Sequence, residues 1–173
     1  MRHSMTFALA FCLGACSSIP ESAPPTGATA ILQRGGAPVG GAALSQNGAD
    51  VAITLTVDGL ASGEYGMHLH QTGKCDGPDY KSAGPHWNPG NRQHGLNNPQ
   101  GAHGGDLPNL VAVGGRPATY SGQIASIMLT GPSGLIDGDG AAIIIHAKAD
   151  DGLTDPSGNS GDRIICGMLT LEN

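Results

Sequence analysis

The chain has 173 residues, of which 39% are hydrophobic and only 3% aromatic, and it carries 29 glycines and 12 prolines. These figures fit one domain with a modest core and many turns, and they exclude a chain that is disordered throughout. The formal net charge is -6, because 14 acidic residues outnumber 8 Lys and Arg. Such a balance argues against general nucleic-acid binding, which requires a basic surface.

The N-terminus has the pattern of an export signal. A basic start precedes an apolar run at 5–13 and then small residues, in the order typical of a secretory signal peptide. The run is too short for a permanent membrane-spanning helix. Because its ending, LGAC, resembles the bacterial lipobox, we predict a lipoprotein signal peptide at 1–15 and lipidation of Cys16. Ordinary cleavage with release to the periplasm is the alternative.

A flexible segment is predicted between this signal and the folded domain. Residues 16–27 are rich in serine and proline and show no apolar period, so we expect a tether there and one domain at 28–173. On such a tether the domain would lie in the bacterial cell envelope, on the periplasmic side and beside the membrane that holds the lipid.

Two cysteines remain in the exported domain, Cys75 and Cys166. An even pair in an oxidising compartment predicts a disulfide, which would close a long loop and stabilise the fold by on the order of 4 kcal/mol. A thiolate metal site or a nucleophilic cysteine beside a histidine is the alternative, although neither motif spacing is present.

The body of the chain has the periodicity of short β-strands. Apolar and polar residues alternate at 28–34 and across 42–59, where Asn47-Gly48 is a two-residue hairpin signal. Further alternating or β-branched runs lie at 65–70, 118–129, 141–147 and 163–171. No window of a dozen residues keeps helical spacing. We therefore predict an all-β antiparallel sandwich or barrel, with long functional connections at 71–106 and 148–162.

Six of the seven histidines lie on or beside those long connections. His68 and His70 are two apart on a predicted strand, so both project from one face. The next connection carries three histidines and a carboxylate, His86, His94, His103 and Asp106. Three nitrogens and one carboxylate suit a tetrahedral zinc ion. His146 ends an apolar strand, and six such residues in a chain so poor in aromatic residues indicate metal binding.

These motifs closely resemble those of the copper/zinc superoxide dismutases. In chain order the matching motifs are HLH at 68–70, SAGPHWNP at 82–89, HG at 94–95, HGGD at 103–106, IIIHAKADD at 143–151 and GDRIICG at 161–167. The intervals from residue 86 to residues 94, 103 and 106 match the spacing of that family's zinc loop. The resemblance implies the family's fold, a Greek-key β-barrel or sandwich of about eight strands.

The resemblance also implies two metal cofactors. Copper would be held by His68, His70, His86 and His146. Zinc would be held by His86, His94, His103 and Asp106. The His86 imidazole would then bind both ions, which requires both of its nitrogens to be unprotonated. The carboxylate of Asp150 would accept the free ring N–H of one copper and one zinc ligand, His68 and His94.

Superoxide dismutation is the activity that the resemblance implies. One superoxide would leave as O2 and a second as hydrogen peroxide, with copper alternating between Cu(II) and Cu(I) and His86 taking up and returning a proton. Arg163 would attract the anion at the mouth of the copper channel. Lys74 and Lys81 are further candidates for steering it. We expect a homodimer, with a monomer as the alternative.

Two other functions remain open at this point. The first is a non-catalytic copper- or zinc-binding envelope protein of the same fold, which would be expected to lack Arg163 or a copper histidine. The second is a purely structural surface module, which would need neither His146 nor Asp106. All of these residues are present here.

Overall fold

Nine β-strands and one short 3-10 helix occur in residues 26–172, the part of the chain that the computed structural model describes. The strands are β1 (Gly27–Arg34), β2 (Ala37–Asn47), β3 (Asp50–Val57), β4 (Gly63–His70), β5 (Asp106–Ala112), β6 (Ala118–Ile124), β7 (Ala142–His146), β8 (Arg163–Met168) and β9 (Thr170–Leu171). The 3-10 helix is Lys81–Ala83. The predicted signal peptide, Cys16 and nearly all of the 16–27 tether lie outside the described residues. Within the described range, no helix has the length and hydropathy needed to span a membrane.

All strand pairs are antiparallel and form one sheet in the order β5-β4-β7-β8-β1-β2-β3-β6, with β9 added beside β1. The terminal strands β5 and β6 contact each other, so the sheet nearly closes into a barrel. The chain crosses over between β3 and β4 and again between β6 and β7, which gives the Greek-key connection. The predicted all-β fold is confirmed.

Strands with period-2 patterns fill the barrel. On β3, Val51, Ile53, Leu55 and Val57 are all buried, while the residues between them are more exposed. β7 is buried along its whole length, because Ile143 and Ile145 belong to the main core and Ile144 packs in a smaller cluster on the opposite face. The β7 strand therefore reads as a continuous apolar run that ends in His146.

Strand β4 places two histidines on the face opposite the core. Met67 and Leu69 pack in the barrel, whereas His68 and His70 project to the other side, as their alternation predicted, and are also fully buried. The long connection after β4 covers them. The Leu69 N–H donates to the Gly105 carbonyl and the Leu69 carbonyl accepts from the Trp87 N–H, both at 2.8 Å, so this loop lies along β4 like an added strand.

One strand was missed, and two local predictions were wrong in their bounds. β5 was not predicted, because Pro108 and Asn109 interrupt its pattern, although it pairs with β4. The strand predicted at 118–129 ends at Ile124; Ser126 has a positive φ of 57°, which turns the chain, and the apolar residues beyond it are buried from a loop. The hairpin turn lies at 48–49, one residue later than predicted, since Asn47 still pairs across the ladder.

Candidate metal centre

Four buried histidines converge between β4, β7 and the first long loop (residues 71–105). They are His68, His70, His86 and His146. Their donor atoms lie within 4.8 Å of one another. β4 and β7 are adjacent strands, and an isolated antiparallel bridge between His70 and His86 joins the loop to the end of β4. We call these four residues the first donor group.

Each imidazole of the first donor group uses one nitrogen for a protein hydrogen bond. His68 Nε2 contacts Asp150 Oδ2 at 2.6 Å, and His86 Nδ1 contacts Asp106 Oδ1 at 2.9 Å. The Nδ1 atoms of His70 and His146 donate to backbone carbonyls at 2.9 and 3.0 Å. All four rings are thereby fixed in orientation.

The other nitrogen of each ring is buried and has no hydrogen-bond partner within the described residues. These atoms are His68 Nδ1, His70 Nε2, His86 Nε2 and His146 Nε2. A buried polar atom without a partner costs about 1 to 3 kcal/mol, so four in one place require a compensating ligand. Imidazole is a good ligand for copper, and one ion could bind all four nitrogens.

A second donor group surrounds the Asp106 carboxylate. Its Oδ1 atom lies 2.9 Å from His86 Nδ1, 3.0 Å from His94 Nδ1 and 3.2 Å from His103 Nδ1. The Nδ1 atoms of His86 and His103 are 3.3 Å apart. Ligands at roughly 2.0–2.1 Å from a tetrahedral zinc ion are about 3.3 Å from one another, so these separations fit zinc.

His68 also lies near this second group, since its donor atom is within 4.8 Å of those of His86, His94 and Asp106. However, His68 Nε2 already contacts Asp150, and its Nδ1 is one of the four unpaired nitrogens of the first group. His103 is therefore the better fourth member. His86 is the residue that presents one ring nitrogen to each group.

Backbone N–H groups hold the Asp106 carboxylate in place. Its Oδ2 atom accepts hydrogen bonds from the N–H of Gly95 at 2.9 Å and of His103 at 3.0 Å. A side chain at Gly105 would collide with the Leu69 carbonyl, so glycine is needed where the loop meets β4. The loop that brings the second group together is thus fixed by both its carboxylate and its close approach to the sheet.

Asp150 connects the two donor groups by contacting one histidine of each. Its carboxylate contacts His68 Nε2 at 2.6 Å and His94 Nε2 at 3.0 Å. Asn109 on β5 holds the backbone of Asp150, donating from Nδ2 to its carbonyl at 2.9 Å and accepting its N–H at 2.8 Å. Gly158, with a positive φ of 62°, lies so close to the carboxylate that any side chain there would collide with it.

Burial keeps most imidazoles of the first group neutral, as metal ligands must be. It lowers the pKa of His68 to about 3, that of His70 to about 2 and that of His146 to about 4. The pKa of His86 is lowered as well, again mainly by burial. Each of these four side chains therefore offers one unprotonated nitrogen at neutral pH. Binding of both metals by His86 would require the loss of its second ring proton as well.

His94 in the second group has the opposite electrostatic character. Burial disfavours the charged form of His94, but hydrogen bonds to Asp106 and Asp150 outweigh it and raise the His94 pKa to about 9. Burial alone would raise the pKa values of both aspartates, yet their hydrogen bonds to histidines hold these pKa values well below the ordinary value. A zinc ion held by His94 would therefore displace a proton from this imidazole.

Arg163 lies at the start of β8, opposite His146 in the β7–β8 ladder. Its Nη1 donates to the Tyr80 carbonyl at 2.9 Å and its Nη2 to the Gly84 carbonyl at 2.8 Å. The Gly84 carbonyl also accepts the Nδ1–H of His70, so one backbone oxygen joins the guanidinium to the first donor group. Arg163 also lines a groove of about 990 Å³.

Lys81, proposed from the sequence as a steering residue, lines the same groove but is paired with Asp79 at 2.9 Å, and both side chains are exposed. Water and salt screen such a pair, and its two charges largely cancel at a distance. Lys81 is therefore a weak candidate for attracting an anion.

The disulfide predicted from the sequence is present between Cys75 and Cys166. It joins the first long loop to β8, three residues beyond Arg163. Cys166 is fully buried and packs with Tyr80 and Ala83 in the smaller apolar cluster. Neither sulfur is a free thiolate, so the alternative of a thiolate metal site or nucleophile is wrong.

Sequence reasoning missed several residues that support the two donor groups. Asn109 carried no signal because its strand was not predicted. Asp155 accepts the backbone N–H of His94 at 2.6 Å, and only its position before a proline distinguished it as a turn residue. Tyr80 offers its carbonyl to Arg163, a backbone role that no side-chain motif can indicate.

Replacing Asp150 by asparagine is expected to weaken zinc binding by roughly 10- to 100-fold. An amide oxygen carries no charge, and the amide NH2 cannot accept the second of the two imidazole N–H groups. Competition with a chromophoric chelator measures the affinity. Asp151→Asn is the matched control, because that neighbouring carboxylate, among the residues that the structure describes, binds only members of its own loop, Leu153, Thr154 and Asn159. Equal zinc affinities in the two variants would contradict the role given to Asp150.

Together, the barrel and its two histidine groups define a class of protein, an all-β metalloprotein whose candidate metal-binding side chains lie on β4, β5, β7 and the first long loop. A family model described as copper/zinc superoxide dismutase matches residues 39–169. The chain belongs to the copper/zinc superoxide dismutase family, and copper and zinc are its cofactors.

The chain is similar in sequence to bacterial copper/zinc superoxide dismutases over most of the domain. The chain is 37% identical over 142 residues to copper/zinc superoxide dismutase 1 of Aquifex aeolicus, covering 80% of this chain and 84% of that protein. It is also 37% identical over 147 residues to the copper/zinc superoxide dismutase of Caulobacter vibrioides, covering 82% and 84%. A third relative, the superoxide dismutase-like protein YojM of Bacillus subtilis, is 44% identical over 124 residues, which cover 70% of this chain and 63% of YojM.

Two solved structures show the same fold. A crystal structure of a SOD-like protein from Bacillus subtilis matches with a TM-score of 0.78 and 37% identity, covering 82% of this chain and 97% of that one. The clock protein EA4 matches with a TM-score of 0.77 and 31% identity, covering 90% and 100%. The resemblance found in the sequence is confirmed.

Proposed function

We propose that this protein converts two superoxide anions and two protons into O2 and hydrogen peroxide. The observation that carries the proposal is the first donor group, four buried imidazoles whose unpaired nitrogens face one another, with Arg163 linked to it through the Gly84 carbonyl. The family match supports the same reaction.

Copper would be held by His68, His70, His86 and His146, and zinc by His86, His94, His103 and Asp106. Bound copper supplies the one-electron couple, Cu(II)/Cu(I), by which one superoxide is oxidised and the next reduced. Zinc has no redox states, and in this assignment its four donors fix the loop on which His86 lies. His86 is shared because each of its ring nitrogens belongs to a different donor group.

Arg163 attracts and orients the substrate. Its guanidinium is half-buried and fixed by two carbonyl acceptors, one of which also binds His70, so it presents a fixed positive charge beside the first donor group. His86 Nε2 is the atom at which the chain takes up a proton and gives it to the departing peroxide. That nitrogen is buried and bonds to no other protein group in the described part of the chain.

Superoxide decay measured together with bound metal tests this proposal. The exported domain is purified, loaded with copper and zinc, and mixed with superoxide in a stopped-flow spectrophotometer. We expect one copper and one zinc per chain and a decay rate far above that of the metal-free protein. Arg163→Ala should retain both metals but slow the decay by roughly 10-fold or more, since the loss falls on substrate attraction.

A non-catalytic metal-binding protein of the same fold is the second candidate. This candidate is supported by the similarity of the chain to YojM of Bacillus subtilis, which is called a superoxide dismutase-like protein. Full occupancy by both metals without accelerated superoxide decay would support this candidate and contradict the first. The presence of Arg163 at the site favours catalysis, because storage of metal does not require an anion-binding side chain.

We also propose that the protein is exported to the bacterial envelope, lipidated at Cys16 and dimeric. The disulfide supports an oxidising compartment. Incorporation of a labelled fatty acid into the wild type but not into Cys16→Ser would support lipidation.

The proposed dimer needs apolar surface for a second copy, and exposed side chains such as Ile31 and Met168, at 65% and 50% exposure, supply it. Analytical ultracentrifugation distinguishes a dimer from the alternative monomer.

A further inference from the structure

We propose that Tyr80 is a positioning residue for Arg163, an inference that rests on the anion-binding role proposed above for this arginine. Tyr80 precedes the 3-10 helix Lys81–Ala83, and Gly84 follows it. The two residues that flank this helix are the two whose carbonyls accept the Arg163 guanidinium, at 2.9 and 2.8 Å. The direction of the guanidinium therefore depends on how the short helix is held.

The Tyr80 side chain ties this helix to the opposite side of the groove. Its hydroxyl accepts the Gly35 N–H at 2.8 Å, in the turn between β1 and β2, and lies 3.4 Å from the Gln33 carbonyl. The ring is 4% exposed and packs with Ala83 and Cys166. The phenol thus anchors the loop that carries both carbonyls to the barrel at a point independent of the disulfide.

The backbone conformation of Tyr80 also directs its carbonyl toward Arg163. Its φ is 51° and its ψ 24°, the left-handed conformation that non-glycine residues rarely adopt. Such a conformation persists only where surrounding contacts enforce it, and here the buried ring and the bonded hydroxyl do so. The result is that the Tyr80 carbonyl meets Arg163 Nη1 while its ring turns into the apolar cluster.

Lys81 and Gly161 line the same groove as Tyr80 and Arg163. Neither accepts a hydrogen bond from the guanidinium. Within residues 26–172 the two carbonyls flanking the helix are its only hydrogen-bond acceptors. Loosening one of them allows the positive charge to move within the open groove. An anion bound at the first donor group would then lose part of its attraction to Arg163.

Azide affinity tests this role without measuring turnover. Azide carries the same charge as superoxide, and its binding to Cu(II) in the metal-loaded protein is followed by absorbance. Tyr80→Phe removes only the hydroxyl, and we expect the azide Kd to rise by roughly 2- to 10-fold, the range that one lost hydrogen bond spans. Tyr65→Phe is the matched control, since its hydroxyl lines the same groove but donates to Ala61.

A double-mutant cycle separates positioning from general loosening of the fold. In the Arg163→Ala background, Tyr80→Phe should leave the azide Kd unchanged, because the group that it positions is absent. An azide Kd equal to the wild-type value in Tyr80→Phe would overturn the assignment, as would an effect that persists without Arg163. A protein that shows this cycle yet fails to accelerate superoxide decay would instead overturn the proposed function and leave the assignment of Tyr80 intact.

Discussion

His86→Ala is expected to lower the rate of superoxide decay by at least roughly 100-fold in the protein supplied with both metals. The substitution removes one donor from each of the two groups and also removes Nε2, the atom proposed to carry the proton. Loss of a positioned proton donor alone accounts for about 10²–10⁴-fold in rate. Stopped-flow decay of superoxide, with metal content measured by mass spectrometry on the same sample, gives the result.

His103→Ala is the matched control for His86→Ala. It removes one Nδ1 atom from the second donor group and leaves all four imidazoles of the first. We expect weaker zinc binding but bound copper, with a rate much closer to that of the wild type. If both variants lost activity equally while retaining copper, the shared role of His86 would be wrong, because loss of the zinc group alone would then explain both results.

The residues that alternate along strands were predictable from physical pattern alone. His68 and His70 share one face because the side-chain period of a strand is two, and the structure places them together behind the core residues Met67 and Leu69. His146 follows an apolar run that pattern identifies as a buried strand. The fold class followed from the same reasoning, since turn signals separate short alternating segments.

Residue types alone indicated zinc binding by the loop residues, but their assignment to one site required the family resemblance. No periodicity relates His94 or His103 to Asp106, because the first long loop derives its shape from single contacts such as the Gly95 N–H to Asp106 and the Leu69 pairing with Gly105. These contacts join residues far apart in sequence through backbone atoms. A sequence shows side-chain types, so backbone acceptors such as the carbonyl of Gly84 remain invisible in it.

Reduction of the disulfide is expected to lower the free energy of unfolding of the metal-free domain by on the order of 4 kcal/mol. Cys75 and Cys166 are 91 residues apart, so the bond removes much conformational entropy from the unfolded chain. For a domain of this size the melting temperature should fall by roughly 10 °C or more. Urea unfolding with and without a thiol reductant measures the difference. Coinciding unfolding midpoints would contradict this stabilisation.

The same bond should protect copper more than zinc. The disulfide joins β8 to the early part of the first long loop, where the Gly84 carbonyl orients both His70 and Arg163. The Asp106 carboxylate of the second group is instead held by backbone N–H groups later in the loop, at residues 95 and 103. We therefore expect reduction to accelerate copper loss to a chelator several-fold while zinc loss changes little. The Cys75→Ala/Cys166→Ala variant should behave like the reduced protein. Equal acceleration for both metals would mean that the bond supports the whole loop instead of the part that carries Gly84.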